Sequence, residues 1–336
     1  MFSKNKKLNK RVLRYSLAIN EALHQMMEKD KSVFLMGQGV KSPWYVGNTC
    51  NGLIKKFGEK RVIDTPVSEN AVTGAAVGAA ISGMRPIVVH PRLDFMMYAM
   101  DPIINQAANW HYMSGGKSNA PVVIWGIINR GGEQAAQHSQ AIQAFFAHIP
   151  GLKVVMPSTP YDAKGLMISA IKDDNPVVFI DDRWLYDDEG YVPKEIYSVS
   201  IGKSAMRIKG KDITIAAVSY MAREAIRAAN ELKKINVSAE VIDLRSITPL
   251  DMPSIIKSVK KTGRLLIAES AWLSGGLSAE VASRISENKD VLKFLKSPIK
   301  RVALPDSPAP MSKTLEKAYY IDYKNIINAA KEILGK

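Results

Sequence analysis

The sequence predicts an α/β protein with two domains, each built on a mostly parallel β-sheet that is covered by helices. Three observations support this fold class. Short apolar runs alternate with amphipathic segments in the first half of the chain, this alternation lapses near residue 186, and a second alternation begins near residue 205. Strands that alternate with helices are typical of parallel sheets with helices on both faces. With 336 residues, the chain is long enough for two separate cores.

Residues 12–185 are predicted to form the first domain, after a basic tail at residues 1–11. The segment 18–29 has the apolar spacing of an amphipathic helix. The predicted strands are short apolar runs that are rich in β-branched residues and bounded by Gly, Pro or polar residues. They lie at residues 32–36, 87–90, 122–125, 154–156 and 177–180.

Residues 186–204 are predicted to be a linker, because this stretch is acidic and contains a proline instead of an apolar pattern. The second domain follows at residues 205–336. Its predicted strands and helices alternate again, which favours a second sheet covered by helices. The strands are 212–218, 238–243 and 264–268, and the helices are 222–233, 252–260 and 323–334.

Composition and charge exclude several classes of protein. The net charge is +14, but the lysines are spread along the chain and are not grouped with aromatic residues, which argues against a nucleic-acid interface. No apolar run approaches the roughly 20 residues that a membrane span needs. Cys50 is the single cysteine, so an internal disulfide and a cysteine-rich metal site are excluded. No secretory signal is present, and we expect a cytoplasmic protein.

Glu69 begins a predicted helix with very little side-chain bulk. Gly74 and Gly78 lie four residues apart among alanines, so they share one face of that helix. A face of small residues lets a backbone or a flat ring approach closely, and the helix dipole favours the ionised form of a carboxylate in the first turn. The segment is therefore either a well-capped core helix or a ligand site with a carboxylate at its mouth.

Further motifs follow this helix in a fixed order. They are FMMYAMD at 95–101, YMSGG at 112–116, AQHSQ at 136–140, PGLKVV at 150–155, DDNPVV at 173–178 and EVIDLR at 240–245. With the Glu69 segment, they resemble the beta subunit of the thiamine-diphosphate-dependent first component of 2-oxo acid dehydrogenases, of the pyruvate and branched-chain types. The resemblance runs from about residue 10 to the C-terminus. It implies a transketolase-like pyrimidine-binding domain followed by a transketolase C-terminal-like domain.

The resemblance also implies roles for four residues. Glu69 matches the glutamate that bonds the pyrimidine ring of thiamine diphosphate and promotes its reactive tautomer, a task that needs a carboxylate shielded from water. Phe95 matches the aromatic residue that packs against that ring, and Tyr98 lies in the same motif. His138 matches the active-site histidine, whose imidazole can donate a hydrogen bond or move a proton near the substrate.

A potassium site is implied in the same way, at the loop that contains Asp173. Hard cations prefer oxygen ligands, and such an ion would stiffen the loop. The alternative is a plain turn that Asp and Asn stabilise through their side chains. Carried over position by position, the ligands are Val122, Ala170, Ile171, Asp173 and Asn175.

One motif that the cofactor needs is absent from the chain. In the family, a Gly-Asp-Gly motif and a later Asn hold the cofactor's diphosphate through a divalent cation, and no Gly-Asp-Gly occurs in these 336 residues. The resemblance therefore implies an alpha subunit that carries the diphosphate and Mg²⁺ half of the site, in an α2β2 heterotetramer. It also implies docking of a lipoyl acyltransferase core on the C-terminal domain.

Three departures from the family's pattern lie close to the predicted site. Gln38 stands where the family usually has an acidic residue, so proton transfer between active sites is in doubt. His90 and Arg92 replace an acidic and aromatic run, and the loop with Arg130 replaces another family motif. Both altered loops follow strands, where α/β sheets bind ligands. We expect His90, Arg92 and Arg130 to contact the substrate.

Two functions remain open on these grounds. The first is decarboxylation of a 2-oxo acid such as pyruvate, with transfer of the acyl group to lipoamide. The second is a transketolase-like carboligase reaction, in which a two-carbon unit passes to an aldehyde or sugar. Product analysis separates them, because only the second forms a new carbon–carbon bond.

Overall fold

The computed structural model describes residues 11–42, 44 and 46–336. The predicted basic tail lies outside these residues, apart from Arg11. The helices are α1 (Tyr15–Lys29), α2 (Leu53–Phe57), α3 (Glu69–Ile81), α4 (Ala108–Met113), α5 (Gln143–Ala147), α6 (Pro160–Lys172), α7 (Tyr220–Lys234), α8 (Met252–Thr262), α9 (Leu277–Ser286), α10 (Lys289–Leu292), α11 (Lys313–Tyr319) and α12 (Tyr323–Leu334).

Fourteen strands are found within the described residues. They are β1 (Val12–Arg14), β2 (Val33–Gly37), β3 (Val62–Asp64), β4 (Arg85–His90), β5 (Val123–Ile128), β6 (Lys153–Val155), β7 (Val177–Asp182), β8 (Glu189–Tyr191), β9 (Ala205–Ile208), β10 (Ile213–Ala217), β11 (Ala239–Asp243), β12 (Ser246–Thr248), β13 (Leu265–Trp272) and β14 (Lys300–Leu304). Two 3₁₀ segments (Leu93–Ala99 and Arg183–Leu185) and a π-helix (Asp101–Ala107) complete the elements.

The strands form two main sheets, and both are mostly parallel. The first has the order β12-β6-β7-β5-β4-β2-β3, with only β12 antiparallel to its neighbour. The second has the order β14-β13-β10-β11-β9, with only β9 antiparallel. Every residue of β2, β5 and β7 is buried, as expected for strands that helices cover on both faces. The predicted fold class is confirmed.

The two halves of the chain are joined more closely than two separate cores would be. Strand β12 comes from the second half, yet it pairs with β6 at the edge of the first sheet. Beside this pair, the buried carboxylate of Asp162 accepts hydrogen bonds from Arg207 and Arg245, both from the second half. Apolar residues of both halves also share continuous buried clusters.

Residues 192–204 form neither helix nor strand. They are held by Lys164 of α6, whose side chain is fully buried and whose ammonium donates to the carbonyl oxygens of Pro193 (2.7 Å) and Glu195 (2.9 Å). The same ammonium also forms an ion pair with Glu21 of α1 (3.2 Å), so its charge is balanced as well as its hydrogen-bonding capacity. Across the described residues, no helix combines the length and the apolar character that a membrane span requires.

Candidate active site

Three neighbouring strands, β3, β2 and β4, end at one edge of the first sheet, and the segments that follow them line a cleft of about 540 Å³. Ligands of open α/β sheets bind at this carboxyl edge. Six of the seven side chains that we expected to bind cofactor or substrate line this cleft. They are Glu69, His90, Arg92, Phe95, Tyr98 and His138.

Glu69 is the first residue of α3, and its half-buried side chain faces the cleft. Ser68 precedes it without forming a side-chain cap, so the helix is not the well-capped one that the alternative interpretation required. Within the part of the chain that the structure describes, the Glu69 carboxylate makes no hydrogen bond and no ion pair. A carboxylate at a helix start, inside a cleft and without an internal partner, is available to a ligand.

Phe95 and His138 meet inside the cleft. Their rings make an edge-to-face contact with centroids 5.2 Å apart, a favoured geometry that fixes the orientation of both rings. Tyr98 lies one helical turn further along, at the cleft mouth, and its side chain is 72 % exposed. The segment that begins at Leu93 therefore supplies one wall, and the loop after β5 supplies His138 opposite it.

Gly37 lets two of these strands approach closely at the cleft floor. Its φ is +148°, and a Cβ atom at this position would lie 2.5 Å from the carbonyl oxygen of Val89 on β4. A larger residue would therefore push β2 and β4 apart. The close approach places Gln38, the next residue, in the cleft lining.

His90 is in the cleft wall, as expected for a residue that contacts the substrate, but it is not positively charged. Its side chain is buried, and its Nε2 lies 3.1 Å from the Thr73 hydroxyl of α3. Burial lowers the pKa of His90 to about 4, so the ring is neutral at physiological pH. Arg92 is half-buried, and one guanidinium nitrogen donates to the Pro91 carbonyl (2.9 Å). Arg92 is thus the permanently charged group of the two.

Arg130 does not line the cleft, which corrects its predicted contact with the substrate. Its buried guanidinium forms an ion pair with Asp182 of β7 and donates to the Ser270 hydroxyl of β13 (2.7 Å). Its guanidinium carbon also lies 5.1 Å from the centre of the Trp184 ring. The physical reason is that a buried guanidinium needs charged and polar partners, and Asp182 supplies them away from the cleft.

The five predicted potassium ligands lie near one another, at the end of α6 and its neighbouring strands. Two of their carbonyl oxygens, those of Ile171 and Asp173, already accept hydrogen bonds from Arg85 (3.1 and 3.0 Å). The Asp173 carboxylate is bound by the ammonium of Lys153 (2.6 Å). Each carbonyl oxygen keeps a second lone pair, so the carbonyls at this helix end still suit a hard cation, whereas the carboxylate is already paired.

Comparison with known proteins shows the family to which this chain belongs. Residues 11–188 match the family "Transketolase, pyrimidine binding domain", and residues 202–326 match "Transketolase, C-terminal domain". The acetoin:2,6-dichlorophenolindophenol oxidoreductase subunit beta of Cupriavidus necator is 42% identical over 96% of this chain and 98% of its own length. The pyruvate dehydrogenase E1 component subunit beta of Rickettsia felis is 42% identical over 94% and 96%. The chain belongs to this family of dehydrogenase beta subunits.

A solved structure shares the fold of this beta subunit. It is described as a split-gene transketolase, an inactive beta4 tetramer, and it superimposes with a TM-score of 0.74 at 21% sequence identity, covering 96% of this chain and 98% of its own. The likeness shows that both chains have the same arrangement of two domains.

Three residues of the beta subunit's cleft region were missed by sequence reasoning. Thr73 lies one helical turn after Glu69 and contacts His90, a position that the spacing of four residues could have indicated. The other two are Asp94, which is buried, and Gln140, which is half-buried and donates two hydrogen bonds to it beside Phe95 and His138. Because these two are 46 residues apart in the chain, no local pattern could have joined them.

Proposed function

We propose that this beta subunit is half of a thiamine-diphosphate-dependent enzyme that decarboxylates a 2-oxo acid such as pyruvate and transfers the acyl group to lipoamide. The observation that carries the proposal is the position of Glu69. Among the residues that the structure describes, its carboxylate has no partner, and it faces a cleft that also contains a flat ring, Phe95, and an imidazole, His138. The names of the relatives, which refer to pyruvate and acetoin, support the same reaction class.

The cleft residues fit the pyrimidine end of the cofactor. Glu69 would hold a pyrimidine nitrogen through a hydrogen bond, and Phe95 would pack against the ring. When bound, thiamine diphosphate supplies the carbon nucleophile that adds to the substrate carbonyl. The other polar and charged residues of the cleft would bind and orient the substrate. Arg92 would attract the substrate carboxylate, because a guanidinium pairs well with a planar carboxylate.

His138 is proposed to move a proton at the substrate oxygen. A half-buried imidazole at the cleft surface can both donate and accept a hydrogen bond. The edge-to-face contact with Phe95 favours an orientation in which the imidazole stays in the cleft. General acid–base catalysis by a positioned side chain typically contributes about 10²–10⁴-fold to a rate.

A partner chain is needed to complete the site. This sequence has no Gly-Asp-Gly motif to hold the diphosphate and Mg²⁺, so we assign that half to an alpha subunit in an α2β2 assembly. One face of α3 suits close packing, because a Cβ at Gly74 or Gly78 would meet nothing within 4 Å. Beside the cleft, Tyr98 and Tyr112 are 72 % and 88 % exposed. Large exposed aromatic side chains are typical of interfaces.

Two further ligands of the assembly are proposed. Potassium would bind to the carbonyl oxygens at the end of α6, where the negative end of the helix dipole favours a cation. A lipoyl acyltransferase core would dock on the C-terminal domain, where Met311 and Leu315 are 68 % and 57 % exposed.

The decisive experiment replaces the proposed cofactor carboxylate in the assembled enzyme. The chain is co-expressed with a partner that carries the Gly-Asp-Gly motif, and Glu69→Gln is compared with the wild type. We expect the variant to assemble normally by size-exclusion chromatography but to lose at least about 100-fold in the rate of acyl-lipoamide formation. Binding of thiamine diphosphate, followed by tryptophan fluorescence, should weaken in parallel.

A matched control removes an exposed carboxylate from the same domain. Within the described part of the chain, Glu59 pairs with Lys41 alone, at the surface, and Glu59→Gln should keep wild-type activity. Full activity in Glu69→Gln would contradict the proposal. If the wild-type enzyme joins the two-carbon unit of pyruvate to an aldehyde and does not acylate lipoamide, its function is that of a carboligase and not that of a dehydrogenase.

A further inference from the structure

A buried carboxylate holds the chain two residues after His138. The Oδ1 atom of Asp94 accepts two hydrogen bonds from Gln140, one from the main-chain N–H (3.0 Å) and one from the side-chain amide (2.9 Å). Asp94 is only 6 % exposed. Two bonds from one residue to one oxygen fix both the backbone and the side chain of Gln140.

The same short segment holds His138 at a second point. Phe95 follows Asp94 directly and makes the edge-to-face contact with the His138 ring. Asp94 and Phe95 therefore hold the stretch from His138 to Gln140 at both of its ends. The loop before this stretch has no regular structure, and Glu133 and Ala135 adopt left-handed φ values of 63° and 58°. The start of the loop is held elsewhere, where the Glu133 N–H donates to the Glu316 carboxylate (3.1 Å), and the two contacts with Asp94 and Phe95 hold the end that carries His138.

Stability alone does not account for this arrangement. The second carboxyl oxygen of Asp94 is buried and has no hydrogen-bond partner among the described residues. Burial raises the pKa of the Asp94 carboxyl, although the Gln140 hydrogen bonds and the nearby His138 ring act in the opposite direction. A buried acid with one unsatisfied oxygen costs folding free energy. Its presence beside the cleft is better explained by what it holds.

We propose that Asp94 is a positioning residue, which sets the place of the His138 imidazole in the cleft through its paired hydrogen bonds to Gln140. The inference rests on the proposed function, since it requires that His138 act on the substrate. It assigns to Asp94 no contact with substrate or cofactor, because Asp94 does not line the cleft.

The test compares two substitutions in the assembled enzyme, with thiamine diphosphate, Mg²⁺ and pyruvate as the probes. Asp94→Ala removes the acceptor, and we expect kcat to fall about 10–100-fold, the usual cost of a misplaced catalytic group. Asp94→Asn keeps an oxygen acceptor, and kcat should stay within about threefold of the wild type. The melting temperature of Asp94→Asn should be unchanged or higher, because the buried charge is removed.

A double-mutant cycle separates positioning from unrelated damage. Gln140→Ala should lower kcat as Asp94→Ala does, and the double variant should be no slower than the slower single one, because both break the same contact. The Kd of thiamine diphosphate, measured by tryptophan fluorescence, should change less than about threefold in all of them, since Glu69 is untouched.

The control is Asp101→Ala, which breaks an exposed hydrogen bond from Asn105 to a carboxylate of the same segment (2.7 Å). It should leave kcat unchanged. The proposal is overturned if Asp94→Ala keeps wild-type kcat, or if Asp94→Asn loses as much activity as Asp94→Ala. A fully active His138→Ala would instead contradict the proposed role of His138, so failure of the function and failure of the positioning are told apart.

Discussion

Arg130 and Asp182 form a buried ion pair within the first domain, and the same guanidinium also contacts the second domain. Asp182 ends β7 of the first sheet, and Arg130 also donates to Ser270 on β13 of the second sheet. The ring of Trp184 lies against the guanidinium on the same side. The positive charge of Arg130 therefore interacts with Asp182 near the contact between the domains, and not with a ligand in the cleft.

Replacement of Arg130 should reduce stability rather than affinity for substrate. Arg130→Met leaves the Asp182 carboxylate buried without its counter-charge, which typically costs about 3–5 kcal/mol. We expect a lower urea midpoint and an unchanged KM for the 2-oxo acid in the enzyme that remains folded. Arg14→Met is the control, because the Arg14–Asp187 pair is exposed and such pairs contribute about 0–1 kcal/mol. A raised KM with normal stability would contradict the assignment.

The neutral His90 should make the protein less stable in mild acid. An imidazole in the unfolded chain gains a proton as the pH falls through about 6.5, whereas the folded ring stays neutral down to about pH 4. The unfolded state binds more protons between these values. The stability that His90 contributes is thus complete above about pH 6.5 and is lost as the pH falls towards 4, by up to about 3 kcal/mol.

The measurement compares the wild type with His90→Asn at pH 7 and pH 4.5. The urea-derived free energy of unfolding of the wild type should fall by about 2 kcal/mol more than that of the variant, because Asn has no proton to gain. The His148 side chain is exposed and its imidazole makes no hydrogen bond among the described residues, while its main-chain N–H caps α5, so His148→Asn should follow the wild type. Parallel pH curves for His90→Asn and the wild type would show that the ring is not held neutral.

The sequence allowed most strands to be predicted, because their apolar runs reflect burial on both faces. Strand β12 could not be found in this way. It has three residues and exists only because the second half of the chain reaches β6. The same limit applies to Arg130. Left-handed residues at Gly131, Gly132 and Glu133 turn the loop after β5, and the direction in which a side chain then points depends on partners far away in the chain.

The cleft was easier to predict from the sequence than the position of Arg130 in the loop after β5. The residues of the cleft belong to motifs that follow the ends of strands in a fixed order. Glu69, Phe95 and His138 lie together as their motifs indicated. The charge of His90 was not predictable, since it depends on burial under α3 and on the Thr73 contact. The apolar pattern and the order of the motifs thus predicted where the site lies. The protonation state of His90 could be assigned only from the packing around it in the folded structure.

Potassium should stabilise the loop at the end of α6. We expect the melting temperature of the chain to be a few degrees higher in KCl than in choline chloride of equal ionic strength, since an ion that binds only the folded state stabilises it. Asn175→Ala, which removes the side-chain amide at one proposed ligand position but keeps its main-chain carbonyl, should reduce the difference without abolishing it. An identical melting temperature in both salts would mean that Arg85 and Lys153 already supply the positive charge that this loop needs.

Arg92 should determine affinity for the acidic end of the substrate. Arg92 lines the cleft beside the neutral His90, and among the described lining residues it is the one with a permanent positive charge. Loss of a charged hydrogen bond typically costs about 1.5–3 kcal/mol, and we expect Arg92→Ala to raise the KM for pyruvate about 10–100-fold with little change in kcat. Arg92→Lys keeps the charge but not the planar guanidinium, and its KM should lie between those of the wild type and Arg92→Ala. The assay is repeated with 2-oxoisovalerate, and unchanged KM values for both acids would exclude Arg92 from the substrate site.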